Sequence, residues 1–157
     1  MEVLELMHAK LNMARRVVKD FIRHYEGMED APRLEKSNFI MDEVNSYLQI
    51  EENLVFPFIR RTGMHQDIID KLRPVHEQIE YVTEHAIMIH VDEPGGEYYN
   101  FMVQLDNLLD LIARLDEELV YPWARVHLSN EDQLYIATHL KGQMTHESLP
   151  STGMTIY

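Results

Sequence analysis

Cysteine is absent from the chain, which excludes a disulfide framework, a thiolate metal site and a cysteine nucleophile. No apolar run approaches the length of a membrane-spanning helix, and the N-terminus has no signal-peptide pattern. The expected location is therefore the cytoplasm, with no membrane partner. Basic residues are scarce: 14 Lys plus Arg stand against 27 Asp plus Glu, a formal net charge of −13. That balance argues against nucleic-acid phosphates and anionic lipid surfaces as partners. No segment alternates with period two over a useful length, so a sheet is not expected.

What the sequence does hold is apolar residues at helical spacing. With 157 residues, 45% hydrophobic and 26% charged, the chain supports one domain with a real core. Leu4, His8, Leu11, Ala14, Val18, Phe21 and Tyr25 make one stripe, on a helix ended by Gly27 and followed by an acidic loop to Pro32. A second helix, with Ser37 as its N-cap, runs to Arg61 with Ile40, Val44, Tyr47, Glu51, Leu54 and Phe58 inward. Pro57 should kink or loosen its last turn, and Gly63 closes it. A third helix spans about 65–90, kinking or restarting at Pro74. The 92–96 loop follows, and a fourth helix spans about 97–127. Ser129 to Asp132 reads as a capping segment opening a short fifth helix that ends near Gly142. The expectation is an all-α, antiparallel up-down-up-down four-helix bundle over 1–142, capped at one end by the fifth helix, with a loosely ordered tail over 143–157.

One short phrase occurs twice. Glu51-Glu52-Asn53-Leu54-Val55-Phe56-Pro57 and Asp116-Glu117-Glu118-Leu119-Val120-Tyr121-Pro122 share acid, acid, polar, Leu, Val, aromatic, Pro, and every position is offset by 65 (116 − 51 and 122 − 57). Each of the four long helices thus places one unusual residue on its apolar stripe: His8, Glu51, His76 and Asp116. Counted from shared loops, Glu51 lies 12 residues before Gly63 and His76 lies 13 after it. His76 is 19 before Gly95 and Asp116 is 21 after it. Such differences amount to less than one helical turn, so in an antiparallel bundle these groups share a layer. The match of His8 to Glu51 is looser, at 24 and 19 residues from Pro32.

Two imidazoles and two carboxylates meeting in an apolar interior point to a first-row transition metal, whose charge offsets the repulsion between buried acids. Tyr47, one turn before Glu51, could ligate or hydrogen-bond a ligand, and Glu80, one turn after His76, is a further candidate. The bland alternative is that each His is a hydrogen-bonded core residue and each acid reaches solvent at a stripe's edge. Glu52, Glu117 and Glu118 read as a solvated face, and His24 and His85 fall off the stripes of their helices.

At these residues the chain resembles the hemerythrin-like family, the HHE cation-binding domain, over roughly residues 1–142. The family pattern is a His on helix one, His-x-x-x-Glu with a hydrophobic-aromatic-Pro ending on helix two, a His on helix three, and a second such phrase on helix four. The resemblance implies a four-helix bundle with a non-haem, usually di-iron, centre. It implies His8 and His76 as nitrogen ligands, and Glu51 and Asp116 as bridging carboxylates. Two positions depart from the pattern: Tyr47 and Ile112 stand where the family has His. Tyrosine can ligate ferric iron, whereas isoleucine cannot ligate anything, so di-iron binding and oxygen carriage do not follow.

Three functions compete on this reading. The first is a binder or sensor of oxygen, nitric oxide or the metal itself, holding one or two iron-like ions or another divalent metal through His8, Tyr47, Glu51, His76 and Asp116. The second is a metal-free bundle serving as an interaction module, which Tyr47 and Ile112 favour. The third is a di-iron enzyme, ranked last because no substrate pocket or extra general base is legible. A metal held elsewhere would be sought among His127, His139 and His146. Homo-oligomerisation is left open.

Overall fold

A computed structural model describes residues 1–87 and 96–147. Among these residues the chain is helical, with no strand. The elements are α1 (Glu2–His24) with a 3-10 turn at Tyr25–Gly27, α2 (Asp30–Ile50), α3 (Phe56–Thr62), α4 (Gln66–Ile87), α5 (Glu97–Leu115), α6 (Tyr121–His127) and α7 (Asn130–Glu147). A π-helical turn joins α2 to α3 at Glu51–Val55, and another joins α5 to α6 at Asp116–Val120. The expected second and fourth helices are therefore each a continuous rod made of three pieces. The 92–95 part of the expected loop, the end of the expected third helix and the tail beyond 147 lie outside the described residues.

Apolar stripes bury one face of each rod. Ala14, Val18, Val44, Ile50, Ile59, Ile69, Leu72, Ile79, Met102, Leu105 and Ile112 are all fully or almost fully enclosed. Burial of such side chains stabilises the fold by roughly 1.5–3 kcal/mol each. Polar pairs fix the direction of the rods. Lys10 meets Glu43 at 3.4 Å, and the Arg33 guanidinium donates to the Tyr25 carbonyl at 2.9 Å, so α1 and α2 run antiparallel. Lys19 reaches Asp106 at 2.7 Å and Arg15 reaches Asp110 at 3.0 Å, so α1 and α5 also run antiparallel. Ser37 bonds Tyr98 and Tyr47 bonds Asp116, so α2 and α5 run parallel.

Several boundaries differ from expectation. The acidic loop is shorter than expected, Met28 and Glu29 only: Asp30 to Pro32 form the first turn of α2, where a proline's missing donor is harmless. Ser37 is no N-cap: it is buried mid-helix against the Tyr98 hydroxyl. Pro74 neither breaks nor restarts α4, which runs through it. Gly63 does close α3, in the left-handed region at φ 70° that glycine alone adopts freely. Ser129 and Asp132 cap α7 reciprocally: Asp132 N–H donates to Ser129 Oγ at 3.1 Å and Ser129 N–H to Asp132 Oδ2 at 3.2 Å. Yet α7 is not short. It passes Gly142 and includes residues 143–147 of the expected tail, lying along α1 with Ile136, Ala137 and Leu140 buried and Lys141 paired to Glu2 at 2.8 Å.

The Lys10–Glu43 pair is enclosed, at 0% and 1% side-chain exposure. Breaking a buried pair by removing one member costs roughly 3–5 kcal/mol. Lys10→Met should therefore shift the urea midpoint down strongly, and the double change Lys10→Met, Glu43→Leu should recover the larger part of that loss. A double variant no more stable than the single one would show that the pair acts through other partners.

Candidate functional site

Both copies of the repeated phrase form π-helical turns, and proline is the physical cause. Pro57 has no N–H for the Asn53 carbonyl, and its ring would clash there; Pro122 stands in the same relation to Glu118. The helix responds by widening: Phe56 N–H bonds the Glu51 carbonyl and Tyr121 N–H bonds the Asp116 carbonyl, each five residues back. The proline then falls in the first turn of the next α-helix, where no donor is required. Each acid is the first residue of its π turn, and π turns recur at functional sites.

Glu51 and Asp116 are completely buried, as is Tyr47, and His76 is 1% exposed. Glu51 Oε1 lies 2.8 Å from His76 Nε2, and the other ring nitrogen, Nδ1, lies 2.8 Å from Glu52 Oε2. Tyr47 donates its hydroxyl to Asp116 Oδ2, and Tyr121 bonds Tyr47 in turn. The remaining oxygens, Glu51 Oε2 and Asp116 Oδ1, are buried with no donor from any other side chain or from the backbone. They belong to the two carboxyls that act on each other directly. Two acceptors that face one another become a hydrogen bond as soon as one proton lies between them.

The electrostatics follow from that placement. Burial pushes the Glu51 carboxyl up to about 7; the hydrogen bond from Asp116 opposes this and the Glu52 charge adds to it. Burial, then the Glu51 charge, pushes Asp116 well above the usual carboxylate range. Burial, then the charges of Asp116 and Glu51, pushes the Tyr47 phenol well up, so it stays a neutral donor. Burial raises Tyr121 as well.

Of the expected site residues, the structure brings together Tyr47, Glu51, His76 and Asp116. It does not bring His8 to them. His8 is exposed, its Nε2 is 2.9 Å from Asn12 Nδ2, and it borders a surface pocket with Glu5, Glu117, Tyr121 and Arg125. The physical reason is a choice of stripe: α1 turns Val3, Leu4, Met7, Lys10 and Leu11 inward, and the larger apolar Met7 takes the interior in place of its neighbour. Glu80 is also exposed. Glu52 meets solvent as expected, its side chain 41% exposed, and it also bonds His76 and so joins the site; its position next to Glu51 was the available signal. Ile112 is fully buried, filling space with hydrocarbon where a ligand would stand. His24 and His85 are exposed and bond the carbonyls of Asp20 and Tyr81 in their own helices. Among the described residues no group of three or more His, Asp or Glu side chains is set around one cation position; the donors here point at one another. Comparison with family models, curated proteins and solved structures finds no match.

The buried Glu51 gives a pH test. Its folded value of about 7 lies above its ordinary 4.5, so the proton favours the folded state. The stability it contributes is complete below the unfolded value and is lost as pH rises through the folded one, up to about 3 kcal/mol. In chelator-treated protein, urea midpoints should fall between pH 5 and pH 7.5 by less in Glu51→Gln than in wild type. Equal changes in both proteins would assign the dependence to other groups.

Proposed function

We propose that the chain is a hemerythrin-like, non-haem metal-binding protein that takes one iron-class ion between Glu51 and Asp116. The observation carrying this reading is the pair of buried, donor-less oxygens, Glu51 Oε2 and Asp116 Oδ1, on acids delivered by the two copies of one repeated phrase. A cation between them satisfies both lone pairs and offsets the repulsion. The donor chemistry suits iron or a similar divalent metal: two carboxylates, the His76 imidazole and the Tyr47 phenol. His76 would serve by turning Nε2 from Glu51 towards the ion while Glu52 holds Nδ1, the outer-shell role that orients a ligating imidazole. Tyr47 would serve by giving up its proton. His8 has no part, so the site is one nitrogen and three oxygens rather than the family's di-iron set. A bound iron would supply redox and small-ligand chemistry; the residues' own work is to orient the donors and exclude water. Binding or sensing of oxygen, nitric oxide or iron belongs to this proposal, without turnover.

A second reading has its own support. Tyr47 already bonds Asp116, and His76 bonds Glu51 and Glu52; on this reading a proton shared by the two acids would close the chain. On that reading the bundle is metal-free and serves as a scaffold for interaction.

Elemental analysis of protein purified without added metal or chelator separates the two. On the metal reading, Fe(II), or Zn(II) as a surrogate, should raise Tm by several degrees, since a ligand that binds only the folded state stabilises it. Glu51→Gln with Asp116→Asn should abolish that rise, and His8→Ala should leave it unchanged. Aerobic, iron-loaded protein should show a visible phenolate-to-iron band that Tyr47→Phe removes. A Tm indifferent to metal, together with sub-stoichiometric iron, would establish the metal-free reading instead.

A further inference from the structure

A second cluster lies at the end of the bundle where α3 turns into α4 and α6 into α7, the end clamped by Arg61 and Asp132 at 2.8 Å. His65, in the turn before α4, and His127, the last residue of α6, bring their rings to a centroid distance of 4.6 Å at 54°. His65 Nε2 is buried with no hydrogen-bond partner. His127 is exposed and makes no hydrogen bond to another described residue, so its nitrogens are open to solvent and to a ligand. Trp123 also stacks on His127, with ring centroids 5.9 Å apart at 25°, and its own buried Nε1 lacks a partner.

Even on the exposed faces of these helices His24, His85 and His139 each give a ring nitrogen to a carbonyl one turn back, whereas the buried Nε2 of the half-buried His65 has no partner at all. Two imidazoles that abut and have no such bond are held at the separation that two neighbouring ligands of one ion adopt. With ligand bonds of about 2.0–2.1 Å to imidazole nitrogen, ring centres of a shared ion sit roughly 5 Å apart. We propose that His65 and His127 form a two-histidine site for a divalent first-row transition ion of the imidazole-preferring class, Cu(II), Ni(II) or Zn(II), with water completing the coordination. The site is separate from the buried acids: Asp116 and His127 are 11 residues apart along one rod, roughly 16 Å at the usual rise. It does not depend on the proposal for those acids.

Trp123 is the one tryptophan of the chain and stacks on a proposed ligand, so it reports on the site. Chelator-treated protein is titrated with Cu(II), then separately with Ni(II), while Trp123 fluorescence is read. Saturable quenching by one equivalent is expected, tighter for Cu(II) than for Ni(II) in the usual affinity order. His65→Ala and His127→Ala should each weaken it at least tenfold, whereas Glu51→Gln with Asp116→Asn should leave it within twofold of wild type. Circular dichroism confirms that each variant remains helical, and His65→Gln replaces any alanine variant that does not. Any other pattern overturns the assignment: no quenching, equal quenching in the histidine variants, or quenching lost when the buried acids are neutralised.

Discussion

Glu51 and Asp116 face each other in an interior where neither can carry a charge unaided. An isolated carboxylate in such surroundings either finds a cation or a donor, or takes up a proton. Everything near the pair is arranged by that requirement. His76 stands against Glu51, Tyr47 against Asp116, Glu52 behind His76 and Tyr121 behind Tyr47. The two rods that carry the acids are each tied to α1 at other levels, by Lys10–Glu43 and by the Arg15 and Lys19 pairs to α5. Those ties favour the register that sets the two acids at one level.

The same constraint explains why the phrase occurs twice. In both copies a proline six residues after the acid accompanies a widened turn that begins at the acid, and two such turns on parallel rods present two acids at one level. The proline acts at a distance of nearly two turns: it fixes where the regular ladder stops, and so where the carboxylate enters the interior. A single copy would leave one buried acid with only His76 or Tyr47 for company.

The all-α class, the long rods, the α3 closure at Gly63 and the capping of α7 were all legible in the sequence, because period and end signals are local properties of a helix. Tyr47, Glu51, His76 and Asp116 were legible as one layer for a related reason: distances from a shared turn convert directly into depth. His8 was not. On α1 both Met7 and His8 fit a three-or-four spacing, and which one faces inward depends on packing against α2 and α5, a tertiary matter the stripe does not hold. Glu52 was hidden because a residue beside the inward position usually meets solvent, and here it does so while one carboxylate oxygen reaches His76. The π turns themselves were read only as a loosening at Pro57, since a missing donor does not say whether a helix kinks, breaks or widens. The length of α7 was underestimated because Gly142 looks like a stop, although nothing crowds it and the helix continues.

Charge counting limits what the buried layer can hold on the proposed reading. Two carboxylates neutralise one divalent ion, and with neutral His76 and Tyr47 the enclosed site then has no net charge, which suits surroundings of hydrocarbon. A second divalent ion would bring two further positive charges. The positions that could answer them are unsuited to it: Ile112 is an alkyl group packed in the core, and His8 is outside at Asn12. Ionising Tyr47 would offset one charge, yet burial and the neighbouring acids hold its proton firmly, so that compensation requires a strongly polarising trivalent ion. One ferric ion with two carboxylates and a phenolate is again neutral. One ferrous ion with two carboxylates and a phenol is neutral as well. On the proposed reading the layer would therefore balance a single iron in either oxidation state, with Tyr47 holding its proton beside a ferrous ion and lacking it beside a ferric one.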